Sequence, residues 1–261
     1  MAWTIDKPDL HFNTKLYTGT GSSLANTGVG FQPDLVWIKG RSGATEHVLT
    51  DSVRGVTKEL SSNDSGAEET VAQGLTAFGS DGFTVGTDGS YNTSSATYAA
   101  WNFLAGGTAS SNTSGSITSS VSANTTSGFS IVSYTGNGSA SQTVGHGLGS
   151  TVDMVIVKDR SRAGENWVIY HKSLGKDKLL LFNTDAAATS SNYWGSSTPN
   201  STVFGVKDGN TSNNWSGDNF IAYCFAEKQG YSKFGSYTGN GSTDGTFVYT
   251  GFKPSYLMIK N

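Results

Sequence analysis

Two short stretches carry the same cations after an apolar run: Lys39-Gly40-Arg41-Ser42 and Lys158-Asp159-Arg160-Ser161. Paired with an acid or a histidine at a fixed offset, such groups could serve acid–base chemistry. The acids do not follow the cations. Asp51, Glu68 and Glu69 lie in the first half, whereas Asp153, Asp159, Glu165, Asp185 and Asp208 lie in the second, and few fall at matching positions. A duplicated active site would keep its acid at one offset. Shared cations without a shared base read as structural, pairing with acids on adjacent strands. The enzymatic alternative is a carboxylate pair of the glycoside-hydrolase kind, as in a polysaccharide depolymerase.

The remaining reactive types are scattered. His47 aligns with Trp167 and His171 with Asp51, while His146 sits in Gly145-His146-Gly147-Leu148-Gly149, which has no counterpart in the first half. No pair has zinc-ligand spacing. Cys224, inside Phe220-Ile221-Ala222-Tyr223-Cys224-Phe225, reads as a small buried hydrophobe, and a single cysteine allows no intrachain disulfide. Walker A, dinucleotide-binding and HExxH motifs are missing. Oxygen-rich loops recur at Asn63-Asp64-Ser65-Gly66, Thr87-Asp88-Gly89-Ser90 and Lys207-Asp208-Gly209-Asn210. They fit Asx-Gly turns better than calcium loops, since none has the EF-hand pattern. No catalytic residue, metal site or cofactor is expected. One binding chemistry stands out. Tyr193-Trp194-Gly195 and Asn213-Asn214-Trp215-Ser216 place Tyr193, Trp194, Asn214 and Trp215 in polar loops. An exposed indole beside amides suits stacking on a sugar ring. The alternative is that these rings cap the ends of the fold or pack on another chain.

The elements that must carry these residues are set by a repeat. Tyr17-Thr18-Gly19-Thr20-Gly21 returns as Tyr134-Thr135-Gly136-Asn137-Gly138 and as Tyr237-Thr238-Gly239-Asn240-Gly241. Each copy leads to an apolar run closed by lysine: Leu35-Val36-Trp37-Ile38-Lys39, Met154-Val155-Ile156-Val157-Lys158 and Tyr256-Leu257-Met258-Ile259-Lys260. The lysines are 119 (158 − 39) and 102 (260 − 158) residues apart, so the repeating unit is a small domain rather than a solenoid turn.

Composition agrees. Gly supplies 34 of 261 residues, charged residues only 14% and aromatics 11%; the picture is of short strands, polar turns and a real core. The glycines of the Tyr-Thr-Gly-x-Gly pieces supply left-handed backbone at turns. A net charge of −3 without a basic stripe argues against nucleic acid. The segment Met1–Pro8 has no apolar signal core, and no stretch approaches the ~20 apolar residues of a membrane span.

The expected fold is all-β: tandem antiparallel β-sandwich modules of jelly-roll or lectin-like type. Module one covers residues 1–107, with strands expected at 11–17, 34–39, 47–49, 57–60, 83–85 and 97–104. A Ser/Thr/Asn/Gly-rich linker, at most one edge strand, covers 108–127. Module two covers 128–230, with strands expected at 129–134, 153–158, 167–170, 178–182, 203–206 and 219–225. An incomplete third module with two strands covers 231–261. Residues 65–73, with Ser65 and Glu68 as a capping box, form either one helical turn or an irregular crossover, as does 185–189. The runs before the lysines are apolar on both faces, so each strand must be covered twice. A sandwich provides one cover; the other must be a long loop, a neighbouring module or another chain, which points to self-association.

Residues 30–39, Asp51-Ser52-Val53-Arg54-Gly55, Ser80-Asp81-Gly82-Phe83-Thr84-Val85-Gly86 and Thr97-Tyr98-Ala99-Ala100-Trp101-Asn102-Phe103 resemble a module of uncharacterised function found in tail-fibre-like and other structural proteins of bacteriophages, often marine ones. Module two is similar more loosely, with His171-Lys172-Ser173-Leu174-Gly175 at the Asp-Ser-Val-Arg-Gly position, and the likeness resumes at 251–260. The resemblance implies a virion protein of the tail-fibre or appendage type that spaces and presents a host-contacting surface, and no reaction. Together with the doubly apolar strands and the loop aromatics, it leads to the expectation of a non-enzymatic protein made in the host cytoplasm and carried on the particle, with a homotrimer, other virion proteins and a host-surface glycan as partners. A capsid or tail decoration protein is the neighbouring alternative. It assigns no functional residue.

Overall fold

The computed structural model describes residues 5–207 and 209–261. Module one contains β1 (Phe12–Thr18), β2 (Leu24–Thr27), β3 (Leu35–Gly40), β4 (His47–Asp51), β5 (Lys58–Ser61), β6 (Glu69–Thr70), β7 (Leu75–Gly79), β8 (Gly82–Val85) and β9 (Thr97–Phe103). Its larger sheet runs β1-β9-β3-β4-β5-β6 and its smaller one β2-β8-β7. Module two contains β10 (Ser110–Asn112), β11 (Ser119–Asn124), β12 (Phe129–Thr135), β13 (Gln142–Gly145), β14 (Met154–Asp159), β15 (Val168–His171), β16 (Lys178–Leu181), β17 (Thr189–Ser190), β18 (Val203–Val206) and β19 (Asn219–Phe225). Its larger sheet runs β10-β11-β12-β19-β14-β15-β16-β17 and its smaller one β13-β18. The orders β1-β9-β3-β4-β5-β6 and β12-β19-β14-β15-β16-β17 are the same order. The duplication read from sequence is therefore a duplication of topology. The fold is all-β and antiparallel, of β-sandwich type.

In both modules the strand that ends in the repeat motif and the strand closed by lysine do not touch. The last strand of the module lies between them: β9 pairs β1 and β3, and β19 pairs β12 and β14. The Tyr-Thr-Gly-x-Gly turn is shaped by that long-range closure. A Cβ on Gly19 would come 2.2 Å from the Thr93 carbonyl, and one on Gly136 would come 2.2 Å from the Trp215 carbonyl. The second glycine of each turn, Gly21 or Gly138, has positive φ. Thus one glycine admits the segment leading into the last strand and the other bends the chain.

Three cores follow from strand alternation. Val36, Ile38, Val48 and Ala100 face the small sheet of module one, meeting Leu75, Phe83 and Val85. Val155, Val157, Val168 and Ala222 do the same in module two, meeting Val144, Phe204 and Val206. The opposite faces of the two large sheets pack on each other. Leu35, Trp37, Leu49 and Leu60 meet Ile131, Ile156, Ile169 and Tyr223 in a third core. The layers therefore run small sheet, large sheet, large sheet, small sheet. The second cover of β3 and β14 is the neighbouring module, and these strands give no reason to invoke another chain.

Several expectations need correction. Residues 108–127 are not a linker: they form β10 and β11, with Ile117 and Val121 buried in the module-two core. The apolar positions are few, but alternation along β11 puts Val121 inward opposite Val132. Residues 65–73 hold no helical turn; β6 pairs there with β5, and β17 takes the matching place in module two. Among the described residues the helical segments are a 3-10 turn at Pro8–Leu10 and α1 (Gly89–Asn92), the latter capped by the Asp88 side chain. The two strands expected in 231–261 do not form among the described residues. The smaller strands β2, β7 and β13 were not foreseen. Residues 1–4 and Asp208, hence part of the N-terminal segment and of the 207–210 loop, lie outside the described residues.

Candidate functional site

One cluster of charged residues lies at the seam between the modules. β4 ends at Asp51, and the chain turns at once, because the Val53 and Arg54 amides donate to Asp51 Oδ1 at 3.1 and 2.9 Å. The turn folds Arg54 back so that its Nε donates to Asp51 Oδ2 at 2.5 Å and its Nη2 to the Leu49 carbonyl at 2.8 Å. Tyr223 reaches across from β19, and its hydroxyl donates to Asp51 Oδ2 at 2.7 Å. Both charged side chains are fully buried. Glu68 closes the set. Arg160 of module two grips it with two parallel bonds, Nε to Oε2 at 2.8 Å and Nη2 to Oε1 at 2.9 Å, while Arg54 Nη1 approaches Oε2 at 3.3 Å. The Glu68 amide also donates to the Arg160 carbonyl at 2.9 Å. Burial works against the charge on Glu68, but the two guanidiniums hold its carboxyl below the usual range.

This cluster was only half legible in the sequence. Asp51 and Arg54 belong to a recognisable Asp-Ser-Val-Arg-Gly piece, but their partner Tyr223 is 172 residues beyond Asp51. The shared cations do not pair with acids on adjacent strands, as alignment had implied. Lys39 Nζ donates to the Thr45 carbonyl at 2.9 Å, Lys158 Nζ donates to the Asp159 carbonyl at 2.8 Å, and Arg160 binds an acid of the other module. Burial lowers Lys158 to about 8 and raises Asp159 to about 6. Asp159 is also held by the Ser161 and Arg162 amides, at 2.7 and 3.1 Å, so it shapes the turn after β14.

The four residues expected to contact a glycan are not brought together on a surface. Trp194 is wholly buried in the module-two core, edge-on to Tyr170 at 5.7 Å, with Nε1 donating to the Lys178 carbonyl. Asn214 is wholly buried too. Its Oδ1 accepts the Asn137 amide at 3.1 Å and its Nδ2 donates to the Ser139 carbonyl at 3.0 Å. Asn92 does the same in module one, taking the Thr20 amide at 2.7 Å and giving to the Ser22 carbonyl at 2.5 Å. Both asparagines precede the last strand of their module by five residues (97 − 92 and 219 − 214). That offset was a signal for a turn clamp rather than a sugar ligand. Tyr193 is half-buried under the Lys207 ammonium. Trp215 alone is exposed, at 39%, with the Arg162 guanidinium 4.8 Å above its ring and Arg162 paired to Asp218.

The seam opens at one end into a groove of about 380 Å³ floored by Trp37 and Phe182. Its amides are engaged in the walls: Asn63 Oδ1 takes the His47 amide at 2.8 Å and Asn183 Oδ1 takes the Trp167 amide at 3.0 Å. Two of the three oxygen-rich loops use their carboxylates as caps, Asp64 on the Gly66 amide and Asp88 on the Ser90 amide. Among the described residues, no group of three or more His, Cys, Asp and Glu is placed to hold a metal ion, and no helix is long and apolar enough to cross a membrane. Cys224 is buried, and burial pushes its thiol well up.

Fold and seam together define a duplicated all-β protein whose halves share one core and one buried ionic cluster. The chain belongs to the family DUF7483, a domain of unknown function, whose family model matches residues 7–261. The matched span takes in both modules and the seam. No curated protein and no solved structure matches the chain.

Proposed function

We propose that this chain is a non-enzymatic structural protein of a bacteriophage particle, a segment of tail fibre or related appendage that spaces and presents a host-contacting surface. The observation that carries this reading is that a cluster of four charged side chains is spent on the seam between the modules. Asp51, Arg54, Glu68 and Arg160 tie one module to the next, as a load-transmitting spacer requires, and the groups shared by the two halves shape turns and strands. A homotrimer and contacts with other virion proteins belong to the same proposal. Mass spectrometry of purified, dissociated virions tests it: the chain should be found in the tail or appendage fraction at stoichiometric amounts. Its presence in the capsid fraction would make it a decoration protein, and its absence from particles would end the structural reading.

Glycan contact on that surface rests on Trp215, whose exposed ring sits beside a guanidinium. A glycan array should give a signal with the wild-type chain and lose it with Trp215→Ala; the same signal from both removes Trp215 from recognition.

A further inference from the structure

The duplication lets a buried group of one module be compared with its counterpart in the other. Aligned on β5 and β16, Lys58 matches Lys178, Glu59 matches Leu179 and Leu60 matches Leu180. Leu60 lies in the core shared by the two modules. Alternation turns the preceding residue to the opposite face, where Leu179 is buried in the core of module two. Module one has a carboxyl at that position. Glu59 meets Tyr91, which is buried in the core of module one. The Tyr91 hydroxyl lies beside the Glu59 carboxyl and shares a 3.3 Å hydrogen bond with Thr50 Oγ1. Glu59 Oε2 is itself buried, and among the described residues nothing bonds it. The same topology is built in module two with leucine, so the carboxyl is not a requirement of the fold.

The charges that act on Glu59 oppose its ionisation. Asp88 at the cap of α1, Glu69 opposite it on β6 and Asp64 in the loop after β5 are all anions. Lys58 turns to the other face of β5 and donates to Thr70 Oγ1 at 2.7 Å, and Arg54, which acts on Tyr91, is held by Asp51 and Glu68. Burial, helped by the three anions, raises the Glu59 carboxyl from 4.5 to about 7. The element beside it is short. β6 is two exposed residues, held by the pairs Lys58–Thr70 and Glu59–Glu69 and by the Val71 amide, which donates to the Thr57 carbonyl at 2.8 Å. Glu68, immediately before β6, is the acid that Arg160 of module two grips, and its amide donates to the Arg160 carbonyl.

We propose that Glu59 is a proton-controlled latch on the β5–β6 edge. Neutral, it packs with Tyr91 and Thr50 and keeps β6 paired. Ionised, it leaves the core for water, frees β6 and loosens the grip of Arg160 on Glu68. The β16–β17 edge of module two, where Leu179 pairs with Thr189, has no such group. The sign follows from the raised carboxyl. Its contribution to the edge is complete below about pH 4.5 and is lost as pH rises to about 7.

Hydrogen exchange tests this, read as protection factors so that the intrinsic pH dependence of exchange drops out. Between pH 5.5 and pH 8 the Glu68 and Val71 amides should lose about tenfold or more of their protection. The Ser191 amide, which donates to the Asp177 carbonyl as Val71 does to Thr57, should change less than about twofold. Glu59→Leu gives module one the leucine of module two, and Glu59→Gln keeps the shape of the neutral acid. Both variants should hold Glu68 and Val71 within about twofold over the same range. Carbon-13 NMR of the Glu59 carboxyl in the wild type should show a titration near pH 7. A carboxyl that titrates near 4.5, unchanged protection in the wild type, or a loss that persists in both variants would overturn the proposal. So would an equal loss at amides of β3 and β9, because Glu59 would then set the stability of the whole module rather than latch one edge.

Discussion

At the scale of single residues, burial decides the role of nearly every reactive group. Arg54 illustrates this. Its charge is wholly enclosed, and its partners Asp51, Glu68 and Tyr223 come from β4, the loop before β6 and β19. Removing it leaves a buried carboxylate without its cation, which costs about 3–5 kcal/mol. Arg54→Ala should show that loss in urea denaturation, and a loss under about 1 kcal/mol would contradict a structural role. His146 offers a pH signature. Its Nδ1 accepts the Leu148 amide at 3.2 Å, so Nε2 carries the hydrogen and donates to the Asn200 carbonyl at 3.1 Å. The ring is enclosed neutral, and burial lowers its pKa below 6.5. The unfolded chain therefore binds a proton that the folded chain refuses, and stability falls as pH drops below about 6.5. Glu59 works in the opposite sense: burial raises it to about 7, so its contribution is lost as pH rises from about 4.5 to 7. Comparison with a variant separates the two. His146→Gln should flatten the acid-side slope of the unfolding midpoint between pH 5 and 7 relative to wild type; an unchanged slope would show that His146 does not contribute.

At the scale of elements, the repeat motif makes a contrast available within one chain. Gly19 and Gly136 sit where any side chain would strike a backbone carbonyl at 2.2 Å, whereas Gly239 faces open space. Gly19→Ala and Gly136→Ala should each destabilise their module by about 1–3 kcal/mol through overpacking. Gly239→Ala should stay within about 0.5 kcal/mol. Thermal unfolding of the three variants checks this, and equal effects at all three positions would mean that the turn, not the segment leading into the last strand, sets the need for glycine. The clamp Asn92 or Asn214 belongs to the same element, since its amide ties the turn to the entry of the last strand.

At the scale of the whole molecule, the shared seam makes two modules one cooperative unit. Trp37 stacks edge-on with Trp101 and with Phe182 of the other module, both at 5.6 Å. Calorimetry should therefore find one unfolding transition for the wild type. Trp37→Ala should lower stability by about 3–5 kcal/mol. Ile156→Asp, which sets a charge in the dry seam, should split the single transition into two as the modules lose their common core. Two independent transitions in the wild type would contradict the shared-core architecture.

The repeat, the strand alternation and the turn glycines were legible because each is a local pattern of spacing. They were enough to name an all-β duplicated fold, to place most strands of the two large sheets and to demand a second cover for β3 and β14. Three things were not legible. A Ser-rich stretch such as 108–127 hides strands because two inward apolar residues, Ile117 and Val121, suffice once a sheet edge is offered to them. Trp194 and Asn214 sit among polar neighbours in sequence, yet their burial depends on strands and turns that approach from elsewhere in the module. The seam depends on distant pairs, Asp51 with Tyr223 and Glu68 with Arg160, and no local pattern encodes which of several acids and cations will meet. Sequence alone determined what each strand would turn inward and outward. Only the tertiary structure decided that the outward face of one module is the inward face of the next, because that choice is made by the shape and charge of surfaces that exist only after each sheet has formed.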